Sequence, residues 1–183
     1  MNGDKVVKFI KLSGREISEN CNFGSEKDRE LGAQLLLSEL LEYIIKGLGV
    51  SLTIDGTEIK DPESVKYKSI RSPDKIEALD GLADVAYTLW WNALTFGLPV
   101  AEAYDMVCDN NLEKFVKLSS WNSGSRELNK DEWHCNQDIK WPDSVVRVVS
   151  VPVGTEYYAV GFDASGKVRK PSSYKSIDLS SLL

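Results

Sequence analysis

The stretch Ile76–Asn111, IEALDGLADVAYTLWWNALTFGLPVAEAYDMVCDNN, decides the reading of this chain, and within it the acids Glu77, Asp80 and Asp84 do most to decide it. At about 100° per residue on a helix they fall at offsets 0, 3 and 7, so their carboxylates line one narrow stripe. Ile76, Leu79, Leu82, Val85, Leu89 and Leu94, with Trp90 and several alanines, cover nearly every other direction, which predicts a helix buried on most sides. Acids at this spacing repel by roughly 0.2–0.5 kcal/mol per pair in water, and burying them uncompensated costs far more. A positive partner is therefore expected. It is either a basic side chain, which the helix lacks after Lys75, or a bound cation, and a carboxylate-only set favours a hard one such as Mg2+ or Mn2+. The competing reading is the solvated acidic face of an ordinary bundle helix.

Earlier in the chain, Leu35–Ile45 reads LLLSELLEYII, an apolar segment whose only charges are Glu39 and Glu42. Three residues apart, they also share one helical face. Two such pairs on two long, apolar helices are the kind of inward-pointing carboxylates with which helical bundles assemble metal sites, and together they could hold two or more divalent ions.

The residues in this order resemble a family. Glu39-x-x-Glu42 followed by Glu77-x-x-Asp80-Gly-Leu-Ala-Asp84-x-x-Tyr87 is similar to the signature of the all-α nucleotide pyrophosphohydrolases, the MazG-like and phosphoribosyl-ATP pyrophosphohydrolase-like group. Phe96-Gly-Leu-Pro99, Ala103-Tyr-Asp-x-Val107 and Asn110-Asn111-x-x-Lys114 resemble that family's next helix. Gly166-Lys167-Val168-x-Lys170-Pro171 with Tyr174 and Asp178-Leu179 resembles its closing segment. The likeness covers about residues 4–118 and 157–179. It departs at Ser38, where the family commonly has another glutamate, in the long connection from Glu42 to Glu77, and in residues 119–155, which read as an insertion.

The resemblance implies a mainly α fold, a bundle of four to five helices with a small C-terminal β appendage. It implies hydrolysis of a nucleoside triphosphate between the α and β phosphorus atoms to the monophosphate and pyrophosphate. The expected substrate is a deoxynucleotide such as dGTP or dUTP, in nucleotide-pool control, and the compact form looks most like phage members. Glu39, Glu42, Glu77 and Asp80 are the expected ligands of Mg2+, with Mn2+ able to substitute, and Glu39 is the candidate base for the attacking water. Asp84 is a further ligand or a partner that orients one, and is grouped on the substrate side with Asn111, Lys114, Lys167 and Lys170. The rival reading is a non-catalytic helical oligomer, an interaction or scaffold protein in which Ser38 marks a decayed site.

At 183 residues the chain fits one domain, with residues 1–118 as a helical core and 119–183 as an inserted loop and β/tail appendage packed on it. Its net charge of −6 argues against a nucleic-acid partner, which needs a basic stripe, though not against a nucleotide held through divalent ions. The cysteines, Cys21, Cys108 and Cys135, are an odd number without paired spacing, pointing to reduced thiols in a cytoplasm, that of the host if phage-encoded. No apolar run reads as a signal peptide or a membrane span. Helices so widely apolar need more cover than one short chain supplies, so a homodimer or homotetramer is expected.

Taken in order, residues 4–11 read as an amphipathic helix and 13–26 as a loop. A second helix runs from about Lys27 to Lys46 and stops at Gly47, and Lys46 either approaches the substrate or simply pairs with Glu42 at i,i+4. Residues 51–56 suggest a strand and turn. Ser72-Pro73 predicts the cap and first residue of the next helix, Gly97 its end, and Pro99 the start of another. Residues 119–143, with three tryptophans and no periodicity, read as a long loop or inserted arm. His134-Cys135 lacks the spaced pairs of a zinc site. From Val145 onward, Val- and Tyr-rich runs between turn signals predict two or three strands.

Overall fold

The computed structural model describes residues 3–135 and 137–183. Among them are four α-helices, α1 (Asp4–Leu12), α2 (Glu26–Glu42), α3 (Lys75–Phe96) and α4 (Val100–Leu112). There are also two small antiparallel sheets, β1 (Leu52–Ile54) with β2 (Thr57–Ile59), and β3 (Val116–Leu118), β5 (Glu156–Asp163) and β4 (Val145–Val153) in that spatial order. The chain is thus mixed α and β. It divides into two compact units, Asn20–Lys75 and a larger one made by the residues up to Glu19 with Ile76–Leu183.

In the smaller unit α2 opens on a capping box. The Ser25 hydroxyl accepts from Asp28 N at 3.3 Å, and the Asp28 carboxylate accepts from Ser25 N at 3.0 Å. At its other end α2 widens into a π-helical turn, Tyr43–Gly47, with Leu48 N on Tyr43 O at 2.9 Å. The extra residue in that turn carries the chain past Gly47, so the left-handed residue is Gly49 (φ 65°), not Gly47 as expected. Asp55 and Gly56, both at positive φ, then make the tight turn joining β1 to β2.

The larger unit is built on its sheet. Successive residues of β5 face opposite sides, so Ala159 and Val160, both fully buried, head two separate cores. Ala159 lies with Val116, Leu128, Val148 and Ile139, under Trp121, Trp133 and Trp141. Val160 lies with Leu12, Phe115, Val151 and Phe162, where Phe9 of α1 meets Phe115 edge to face at 5.0 Å. Lys5 ties α1 to α4 through Asp105 (2.8 Å) and Asp109 (2.9 Å).

The segment expected as a long loop or arm is largely loop among its described residues, with one short 3-10 turn at Lys130–Glu132, and it packs over the first core as a lid. Ser150, fully buried, accepts from Arg126 N at 2.9 Å and donates to Gly124 O at 2.9 Å, while Leu128 N reaches Val148 O at 2.8 Å. These bonds cover the outer edge of β4, and Gln137 Nε2 on Lys117 O (2.7 Å) occupies that of β3. The segment's three tryptophans, placed without period, pack against the same core as Leu128 and Ile139, because burial needs area rather than a repeat.

The long helix departs from expectation in two ways. It starts at Lys75, with Asp74 rather than Ser72 directly before it; aspartate caps as well as serine, and Pro73 holds Ser72 out of the helical region. It ends as expected, with Gly97 at φ 67° and Leu98 N on Ala93 O at 2.9 Å. More consequentially, α3 is not buried on most sides. Ala93 is its one buried residue, and Ile76, Leu79 and Leu94 are 72–79% exposed.

Candidate functional site

Glu77, Asp80 and Asp84 stand on one line of α3, all exposed, on a rigid helix flanked by exposed leucines. In the smaller unit Glu39 is exposed and Glu42 half-buried, one turn apart on α2. Lys46 Nζ lies 3.2 Å from Glu42 Oε1, the i,i+4 pair that was one of its two expected roles. Ser38 is 4% exposed and turns its hydroxyl toward Leu35 O at 3.5 Å. At i,i+4 from Glu42 it stands on a neighbouring strip of the same side of α2.

The two acidic sets belong to different units. Within either one, among the described residues, no three His, Cys, Asp or Glu side chains stand close enough to hold a metal ion. The donor chemistry nevertheless fits a hard divalent cation. Every donor is a carboxylate, each pair is presented at i,i+3 on a helix, and each pair alone falls short of the six oxygens Mg2+ takes.

The basic residues of the tail, expected on the substrate side, are organised by a different device, in the larger unit. Asp163, at the end of β5, is 8% exposed and accepts from Ser165 N (2.9 Å), Ser165 Oγ (2.7 Å), Lys167 N (3.0 Å) and Arg169 Nε (2.8 Å). Burial pushes its carboxyl up, but the Ser165 and Lys167 bonds and the Arg169 charge outweigh that and hold it below its ordinary value. Arg169 is therefore committed to the turn. Ser172 and Lys140 then exchange two bonds, Ser172 N to Lys140 O at 2.8 Å and Lys140 N to Ser172 Oγ at 2.9 Å.

Beyond that point the tail returns to the end of α4. Asn110 Nδ2 donates to Lys175 O at 2.8 Å, and the Tyr174 hydroxyl donates to Asn110 Oδ1. Lys170 Nζ lies 4.6 Å from the centroid of the Tyr174 ring. Asn111 follows directly, and Lys114 sits with its ammonium 5.7 Å from the Phe9 ring centroid. The end of α4 and the tail, two of the expected substrate contacts, are thus brought into one neighbourhood. Asn110 and Tyr174 were not among the expected site residues. Their signal in sequence was the Asn110-Asn111 doublet and the aromatic four residues after Lys170.

Cys135 is buried, and burial pushes its thiol up to about 11, which keeps it protonated near neutral pH. Cys21, Cys108 and Cys135 are all free thiols. Among the described residues no helix is long and apolar enough to cross a membrane. Set against known proteins, the chain matches no family model, no curated protein and no solved structure.

Proposed function

We propose that the protein is a divalent-metal-dependent nucleoside triphosphate pyrophosphohydrolase of the MazG-like, all-α type, acting on a deoxynucleotide such as dGTP or dUTP. The observation that carries this reading is the pair of matched acidic faces, Glu39 with Glu42 on α2 and Glu77 with Asp80 and Asp84 on α3, each presented on an apolar helix. Bound Mg2+ or Mn2+ would neutralise phosphate oxygens and make a water nucleophilic near neutral pH. In this reading Glu39, Glu42, Glu77 and Asp80 hold the ions, and Asp84 supports them from the next turn of α3. Glu39 takes the proton of the attacking water. Asn111 and Lys114, with the tail lysines Lys167 and Lys170, bind the phosphates and orient the chain for in-line attack.

The exposed leucines of α3 support self-association as part of the same reading, a homodimer or homotetramer of the chain. They also favour the second reading, a non-catalytic oligomer whose helices serve only to assemble. One experiment separates the two. The protein is incubated with each deoxynucleoside triphosphate and Mg2+ or Mn2+, and the release of monophosphate and pyrophosphate is followed. Turnover that disappears in Asp80→Ala supports the enzyme; an oligomer inert toward every triphosphate supports the scaffold.

A further inference from the structure

Between β5 and Pro171 the tail carries three basic residues, Lys167, Arg169 and Lys170, and a fourth, Lys175, follows Tyr174. Arg169 is held by Asp163 through Nε at 2.8 Å and Nη2 at 2.7 Å, so it builds the turn. Lys167 donates its backbone N–H to the same carboxylate. Lys170 is exposed and comes after the turn is complete, with its ammonium over the ring of Tyr174. That ring is itself fixed, because its hydroxyl donates to Asn110 Oδ1 while Asn110 Nδ2 donates to the carbonyl of the next residue, Lys175. A single side chain on the last turn of α4 therefore grips the tail at two consecutive residues. The buried Pro171 and the paired bonds of Ser172 with Lys140 hold the stretch between Lys170 and that grip.

We infer that Tyr174, latched to Asn110, is a positioning residue that holds the Lys170 ammonium over its ring, near the end of α4, to receive a phosphate group of the substrate. The inference rests on the pyrophosphohydrolase reading and deepens it, since it chooses Lys170 among the basic side chains of the tail and names what orients it. A lysine has a long, flexible stem and loses much rotamer freedom when it binds an anion. An aromatic face beneath the ammonium restricts that freedom in advance while leaving the outward N–H donors available. Asn110, which itself need not touch substrate, makes the aromatic face stationary.

The test compares Lys170→Ala, Tyr174→Leu, Tyr174→Phe and the double variant Lys170→Ala/Tyr174→Leu in the full-length chain. Each is assayed for deoxynucleoside triphosphate hydrolysis and, by calorimetry, for binding of inorganic pyrophosphate. Loss of the charge-assisted contact in Lys170→Ala raises KM and weakens pyrophosphate binding about tenfold, with kcat changed less. Tyr174→Leu moves both in the same direction by about two- to fivefold. Tyr174→Phe, which keeps the ring and loses the latch, falls between it and the parent. A merely structural tyrosine would add its effect to that of Lys170→Ala, whereas a positioning one adds nothing once the ammonium is gone. An active parent in which Tyr174→Leu leaves KM and pyrophosphate affinity unchanged, or in which the two effects add fully, overturns the inference alone. A parent that neither hydrolyses triphosphates nor binds pyrophosphate overturns the reading beneath it as well.

Discussion

Helix α3 and the β4–β5 hairpin are both apolar, and the fold treats them in opposite ways. In the hairpin, Val148, Ala159 and Val160 are completely buried, and even Ser150 beside them is sealed by three hydrogen-bonding partners. In α3, Leu79, Leu82 and Leu94 are 59–79% exposed. Fully burying a leucine stabilises by about 1.5–3 kcal/mol, so the hairpin has collected this energy within its unit while α3 has left it available. The difference teaches where to look for function. The sheet is self-sufficient and structural; the helix that carries Glu77, Asp80 and Asp84 is the element that still has surface to offer.

The sharpest way to break this contrast is to alter the acids without touching the apolar flanks. Asp80→Ala is expected to lower triphosphate hydrolysis by at least about 100-fold, the loss that even an outer partner of a metal ligand can cause. Because Asp80 is exposed, the unfolding free energy should move by no more than about 0.5 kcal/mol. A denaturation curve that collapses with the activity would mean that the stripe is structural. The complementary change is Leu79→Glu or Leu94→Glu. Each removes exposed apolar surface worth about 1.5–3 kcal/mol on burial, so sedimentation should show self-association weakened about tenfold or more. If the parent protein sediments as a monomer at every concentration, α3 is not an assembly surface.

The sequence showed the hairpin and the helices better than it showed who covers whom. Val- and Tyr-rich runs from Val145, with Gly154 to turn the chain, are a local signal, and the strands appeared where that signal stood. Gly97 and Pro99 bounded α3 and α4 for the same reason. The periodicity of α3 also stated correctly that it is a helix with apolar directions all round. What periodicity cannot state is whether a covering surface lies nearby, and here Leu79, Leu82 and Leu94 stay exposed. Trp121, Trp133 and Trp141 were unreadable in the other direction: spread over an aperiodic segment, they gave no element, yet their rings organise the first core. Of the candidate site, the four carboxylates stood out by type and spacing, and Lys170 through the family resemblance of its segment. Asn110 and Tyr174 did not, since a contact 64 residues apart in sequence leaves no mark on a helical or strand period.

A smaller effect probes how tightly the sheet unit is closed. Ser150→Ala removes an acceptor for Arg126 N and a donor for the carbonyls of Gly124 and Arg126 in a fully buried position. Leaving those groups unsatisfied should cost about 1–3 kcal/mol in chemical denaturation followed by tryptophan fluorescence. Gly161→Ala tests the same lid from its other end, because a Cβ there would overlap the ring of Trp141, and overpacking of this kind costs typically about 1–3 kcal/mol. Neither change should alter the self-association that α3 governs. If either one does, the sheet and α3 are energetically coupled and the contrast between them is too simple.

The pH dependence of the sheet unit is the finest discriminator. The side-chain bond from Arg126, then the backbone bond from Asn129, hold the Glu132 carboxyl down to about 2 from an ordinary 4.5. Lys117 similarly lowers Glu156, and the turn around Asp163 lowers that residue. A carboxyl depressed in the folded state binds fewer protons there than when unfolded. Its contribution is therefore fully present above its unfolded value and is lost as pH falls through the folded one. The tryptophan-reported unfolding midpoint should thus hold steady down to about pH 4.5 and decline from there toward about pH 2. Glu132→Gln separates this from general acid expansion, since it keeps shape and removes the titration. The variant should start less stable at neutral pH and decline less steeply over that window. An identical slope in parent and variant would show that Glu132 does not contribute to the acid sensitivity, and that its bond to Arg126 is held in place by the lid rather than holding it.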